Sequence, residues 1–191
     1  AWKRFAIIVR GGSRKSINNR LRAQRLPRIY RAHSNNAPIY RRKDVPRRLR
    51  KPKVALMWVP QTSGSPAVRG NRPQAYWPGA RYVDWVGADV YSKFANATLW
   101  NNLNSFYKKF KGKPFVIGEY SPWDADPGGA FVSKLFSWAE SHKRTRMLIY
   151  YRSVSTTNVF NLQFYPEAQN VLRNVLNGAR YMSVAPEYRK K

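Results

Sequence analysis

Lys113-Pro114-Phe115-Val116-Ile117-Gly118-Glu119-Tyr120-Ser121-Pro122-Trp123 is the stretch that decides how the rest of the chain is read. The Lys-Pro pair hands the backbone into an extended path. Phe115, Val116 and Ile117 then form an unbroken apolar run, which predicts a short strand covered on both faces. Gly118 breaks the run, Glu119 follows at once, and a loop with Pro122 and Trp123 closes it. The stretch therefore predicts a buried strand that presents a carboxylate at its C-terminal end. A salt bridge or a helix cap would use such a Glu equally well, so the neighbouring segments must decide.

Working outward, the same texture recurs. Upstream, Val54 to Val59 reads as a buried strand stopped by Pro60, and Gln61 to Pro73 as a long Gly/Ser/Pro loop. A second strand begins near Trp85 and carries Asp89 and Tyr91 towards its end. Thr98 to Lys111 predicts an amphipathic helix with Leu99, Leu103, Phe106, Tyr107 and Phe110 on its apolar side. Downstream, Gly128-Gly129 leads into a helix over 130–141, with Phe131, Leu135, Phe136 and Trp138 inward. Arg146 to Tyr151 predicts a further strand, and Tyr165-Pro166 opens a last helix that ends before Gly178. Strands alternating with helices predict an α/β fold with a parallel sheet. Four strands are too few to close a (β/α)8 TIM barrel. The segment is either a small open sheet or the C-terminal half of a barrel, about strands five to eight with their helices. The abrupt start at Ala1 suits the half-barrel better, and parallel barrels present catalytic groups at the C-terminal ends of their strands.

The first 52 residues differ. Trp2, Phe5, Ile8 and Val9 predict a helix over 1–9, stopped by Gly11-Gly12. Ser13 is placed to cap a second helix through about Leu26, with Ile17 and Leu21 as a thin apolar side. Residues 27–52 hold four prolines and many arginines and predict an irregular excursion. The expected organisation is a basic helical and irregular insertion over 1–52, belonging to the same barrel as the half over 53–191.

Composition narrows the function. The chain carries a net charge of +27, and residues 1–53 hold 18 Lys/Arg against Asp44 alone. That field attracts polyanions without regard to sequence and in a salt-dependent way. Cysteine is absent, which excludes disulfides and thiolate metal sites. His33 and His142 are far apart, so no metal and no other cofactor is expected. No apolar run approaches the roughly 20 residues needed to span a bilayer.

Three blocks now carry a resemblance. Trp58-Val59-Pro60, then Tyr76-Trp77-Pro78-Gly79 with Tyr82-Val83-Asp84-Trp85-Val86-Gly87 and Asp89-Val90-Tyr91, then Lys113-Pro114 to Gly118-Glu119, resemble glycoside hydrolase family 26. That family contains mainly β-mannanases on a (β/α)8 barrel, and the likeness runs over about 53–152. It implies a glycosidase that cleaves a β-1,4-linked polysaccharide such as mannan by retaining double displacement. Glu119 falls where the family has its nucleophile, and Asp89 and Tyr91 fall where it has the groups that orient that nucleophile. Trp58, Trp77, Trp123 and Tyr151 become candidate sugar platforms or cleft walls, with Trp58 equally suited to a core.

Retaining chemistry also needs an acid/base, with the two carboxyl groups about 5–5.5 Å apart. The resemblance implies that this Glu ends the fourth strand, outside the present chain, so the chain alone is expected to be inactive. Asp124, Asp126, Glu140, Glu167 and Glu187 do not match that position. Arg152 beyond the last strand and the basic surplus leave room for an anionic polysaccharide. A polysaccharide partner implies a secreted or cell-surface monomer, although no signal peptide is visible. Two alternatives stay open. One is a carbohydrate-binding relative without turnover. The other is a basic nucleic-acid-binding protein, which would expose aromatics beside its Lys/Arg clusters.

Overall fold

A computed structural model of the chain describes residues 1–29, 44–152, 159–178 and 180–182. His33, Glu187 and much of the expected excursion over 27–52 lie outside the described residues. The chain divides into two compact units, one of residues 1–58 with 76–85 and one of 59–75 with 86–191.

In the first unit, α1 (Trp2–Val9) and α2 (Arg14–Ala23) frame a two-stranded antiparallel ribbon of β1 (Gly12–Ser13) and β2 (Arg48–Leu49). The Ser13 hydroxyl caps α2 by accepting from the Ser16 N–H at 3.1 Å. α2 ends three residues earlier than expected because Arg25 takes a left-handed φ of 54°. The Leu26 N–H then turns back to the Leu21 carbonyl, at 2.9 Å. The buried face of α1 is also rotated from the expected one. Ala6 and Ile7 are buried while Phe5 is 55% exposed, because Ile17, Leu21, Ile29, Leu56 and Tyr82 approach from the Ala6 side. The apolar run from Val54 contributes only β3 (Met57–Trp58). Asp84 explains part of this shortening. Its carboxylate accepts from the Leu56 N–H at 3.0 Å and pairs with Arg10 at 2.9 Å, so a side chain takes a bond that a strand ladder would have used.

The second unit holds the parallel sheet. β4 (Trp85–Tyr91), β5 (Phe115–Ser121) and β6 (Thr145–Tyr150) lie side by side in sequence order. α3 (Ala97–Lys109) links β4 to β5, and α4 (Ala130–Ser141) links β5 to β6. α5 (Pro166–Leu176) follows β6. Phe115, Val116 and Ile117 are fully buried, as an apolar strand centre requires. α3 contributes Leu103 and Phe106 as its periodicity predicts, together with Trp100, which the periodicity had not included. β6 is the edge of the sheet, and its Met147 and Ile149 are 37% and 41% exposed instead of buried. The described strands of this unit therefore form an open parallel sheet in a mixed α/β fold.

Two details of this unit fix the loops around β5. Gly128 and Gly129 both take positive φ, 64° and 65°, and turn the chain into α4. Asp126 is buried, and its carboxylate accepts from the Phe131 N–H at 2.7 Å and the Val132 N–H at 3.4 Å. It thus caps α4 from outside the helix, where the dipole favours a negative charge. Asp126→Ala is expected to lower stability by about 1–2 kcal/mol in denaturant unfolding, the cost of a lost cap. An unchanged midpoint would show that the cap is idle.

Candidate active site

The site begins with a bulge. Ala88 pairs with Ile117 and Asp89 pairs with Glu119, so Gly118 is an extra residue on β5. The sequence predicts a strand whose apolar run breaks at Gly118 and which ends at Glu119. It continues instead to Ser121, because a bulge accommodates the extra residue while re-aiming the side chains beyond it. A Cβ at Gly118 would lie 2.3 Å from Val59 Cγ1 and 3.1 Å from Asp89 Oδ1, so a side chain there would collide with Val59 and press on the Asp89 carboxylate.

Three predicted residues meet at this point. The Tyr91 hydroxyl donates a short hydrogen bond to Glu119 Oε2. Asp89 stands beside Glu119 as its ladder partner. Burial, and after it the Glu119 charge, push the Asp89 carboxyl from 3.8 up to about 6, while the Glu119 backbone N–H works in the opposite direction. Asp89 Oδ1 is buried without a hydrogen-bond partner. The Tyr91 phenol is raised well above its ordinary value, first by burial and then by its hydrogen bond to Glu119. It therefore remains a proton-bearing donor throughout the physiological range.

The Asp89 shift has a consequence for stability. An acid that is weaker in the folded state gives up its proton sooner in the unfolded chain, so raising the pH through this window favours unfolding. Stability is expected to fall between about pH 4 and pH 6, by roughly 1 kcal/mol once screening of this partly exposed group is allowed for. Asp89→Asn should flatten that segment of the stability-against-pH curve. A slope that survives the substitution would assign it to another group.

Aromatic rings surround the carboxylates. Tyr91 meets Trp123 edge-on at 5.6 Å and Tyr151 at 6.4 Å, and Phe160 lies 5.6 Å from Tyr91 and 5.0 Å from Trp123. The loop bearing Trp123 is pinned by Ser92, whose hydroxyl accepts from the Trp123 N–H and donates to the Ala125 carbonyl, both at 2.7 Å. Lys93 lies 4.8 Å over the Trp123 ring and pairs with Asp124 at 2.8 Å. A cavity of about 390 Å³ adjoins this wall, lined by Asp89, Tyr91, Phe94, Asn96, Leu99 and Trp123 together with residues 61–65. Carboxylates beside aromatic faces suit a polyhydroxylated ring, which offers hydroxyl donors at its edge and C–H groups on its faces.

The other candidates are placed differently. Trp58 and Trp77 belong to the first unit, where their rings meet edge-on at 4.7 Å. Trp58 is only 6% exposed, which leaves little of its face for a ligand. Tyr151 is 38% exposed, and Arg152 beside it is exposed. The remaining acids of this unit among the described residues have structural partners. Asp124 pairs with Lys93, Asp126 caps α4, Glu167 accepts from the Gly128 N–H, and Glu140 accepts from the Tyr181 hydroxyl. His142 stacks on Trp138 at 4.0 Å. Phe160, Phe94 and Ser92 were not singled out from sequence. Ser92 and Phe94 follow β4 directly, so their position just past a strand end was the available signal, whereas nothing local marks Phe160.

No protein-family model matches the chain, and no curated protein does. Among solved structures, GH26A from Muricauda sp. MAR_2010_75 is similar over 67% of this chain and 35% of its own, at 18% identity and a TM-score of 0.41. The chain thus spans about a third of that protein's length. The likeness is weak and assigns no activity.

Proposed function

We propose that the chain carries the nucleophile side of a glycoside hydrolase site, with Glu119 as nucleophile, Tyr91 and Asp89 as positioning residues, and Trp123 and Tyr151 as cleft walls. The observation that carries this reading is the hydrogen bond from Tyr91 to Glu119 Oε2, with Asp89 alongside, at the C-terminal part of a buried parallel strand. Tyr91 holds one carboxylate oxygen and leaves Oε1 to attack. In the proposed step Oε1 bonds to the anomeric carbon as the bond from that carbon to the leaving oxygen breaks, and the electron pair departs with the leaving group. Water then releases the sugar with retained configuration. A β-1,4-linked polysaccharide such as mannan is the substrate class of this reading, which places the protein outside the cell or at its surface.

The leaving oxygen of a polysaccharide needs a proton, and the acids around Glu119 other than Asp89 are engaged elsewhere. An activated aryl 2-deoxy-2-fluoroglycoside needs no such proton, because its phenol leaves as the anion. Incubation of the 191-residue chain with the fluoromannoside, followed by mass spectrometry, is expected to show one sugar attached to the peptide containing Glu119. An unlabelled chain that nevertheless binds manno-oligosaccharide would favour the second reading, a binding protein without turnover.

A further inference from the structure

A second hollow of about 570 Å³ lies in the same unit as the carboxylate cavity, and its chemistry is the opposite. Arg69, Arg72 and Lys109 line it, with Gln74 and Asn102, and no acidic residue does. Arg69 and Arg72 flank a short turn in the loop after Pro60, and Lys109 ends α3. None of the three makes an ion pair among the described residues. The two hollows share Thr62, Ser63, Gly64 and Asn102 as lining, so the hollow of the three cations adjoins the one lined by Asp89 and Tyr91.

We propose that these adjoining hollows take an acidic glycan, with the Arg69, Arg72 and Lys109 pocket binding a carboxylate or sulfate on one sugar while a neighbouring sugar lies against Asp89 and Tyr91. The proposal rests on the glycan reading of the Glu119 site. Like charges gathered without a counter-ion repel one another, and an anion relieves that cost. Guanidinium forks match the planar oxygens of a carboxylate and the oxygens of a sulfate ester. The cation at Lys109 also complements the end of its helix, but Arg69 and Arg72 have no such use. A nucleic acid fits these hollows poorly. Its charge recurs at every nucleotide, so a phosphate seated on the arginines would drive its neighbours towards Asp89. An acidic polysaccharide tolerates the alternation, because its hydroxyls meet the carboxylates while its anion meets the cations.

The test is calorimetric titration of the 191-residue chain at physiological ionic strength with β-1,4-linked oligosaccharides of equal length, in neutral manno-, mannuronate and sulfated manno- forms. One of the acidic forms is expected to bind roughly tenfold or more tighter than the neutral one, the gain of a charge-assisted contact or two. Which acidic form wins distinguishes carboxylate from sulfate. R69Q/R72Q should erase that preference and leave neutral binding unchanged, whereas R22Q/R28Q in the first unit should keep it. Equal affinity for neutral and acidic forms, or an equal loss in R22Q/R28Q, overturns the proposal. So does a single-stranded oligonucleotide that binds the wild type and is lost in R69Q/R72Q. Trp123→Ala separates the two levels. Neutral binding that depends on Trp123 without any acidic preference sinks the anion pocket alone, while absence of all oligosaccharide binding sinks the glycan reading with it.

Discussion

Glu119→Gln is expected to abolish covalent labelling by an activated fluoroglycoside, with a loss on the order of a thousandfold or more in labelling rate. The amide is almost isosteric, so Tyr91 keeps a partner and the fold is undisturbed; what disappears is the attacking anion. Tyr91→Phe separates attack from positioning. It removes the hydroxyl that holds Oε2, and labelling should slow by roughly tenfold to a hundredfold, equivalent to about 1.4–2.7 kcal/mol. Equal labelling in wild type and Glu119→Gln would place the nucleophile elsewhere and end the assignment.

The second large effect concerns the sheet that carries the site. Gly87→Ala is expected to destabilise the protein by about 3 kcal/mol or more, and the variant is expected to lose its cooperative unfolding transition at ambient temperature. A Cβ at Gly87 would lie 2.2 Å from the Val116 carbonyl oxygen and 2.4 Å from Val116 Cγ1. The nearer atom is backbone of the neighbouring strand, so relief requires β4 and β5 to separate at the register that brings Asp89 to Glu119. Gly112→Ala is the control. Nothing lies within 4 Å of a Cβ there, and its effect should be within about 0.5 kcal/mol. Comparable unfolding curves for the two variants would show that the close approach of β4 and β5 is not a packing constraint.

Residue patterns by themselves determined the elements of the second unit. Three branched or aromatic residues between Lys-Pro and a glycine specify a buried strand, and helical spacing of Phe131, Leu135 and Phe136 specifies α4, because burial of apolar area acts residue by residue along the chain. The pairing of Asp89 with Tyr91 near one strand end and the Glu119 carboxylate on the next strand was also legible, through the family resemblance of the blocks that carry them.

Tertiary structure alone decided what those residues touch. Whether Gly118 ends β5 or bulges within it depends on the register against β4, which a single strand does not encode, and that register sets Asp89 beside Glu119. Asp126 reads as a spare acid until the α4 amides turn towards it, and Phe160 reads as loop until it closes against Trp123. Phe5 fits a helical apolar stripe yet lies outside, because its partners approach α1 from the Ala6 side. Arg69, Arg72 and Lys109, up to 40 residues apart, form one basic hollow only where the loop after Pro60 folds beside the end of α3. Periodicity marks which residues are suited to burial; only the packed chain decides which of them are covered, and by what.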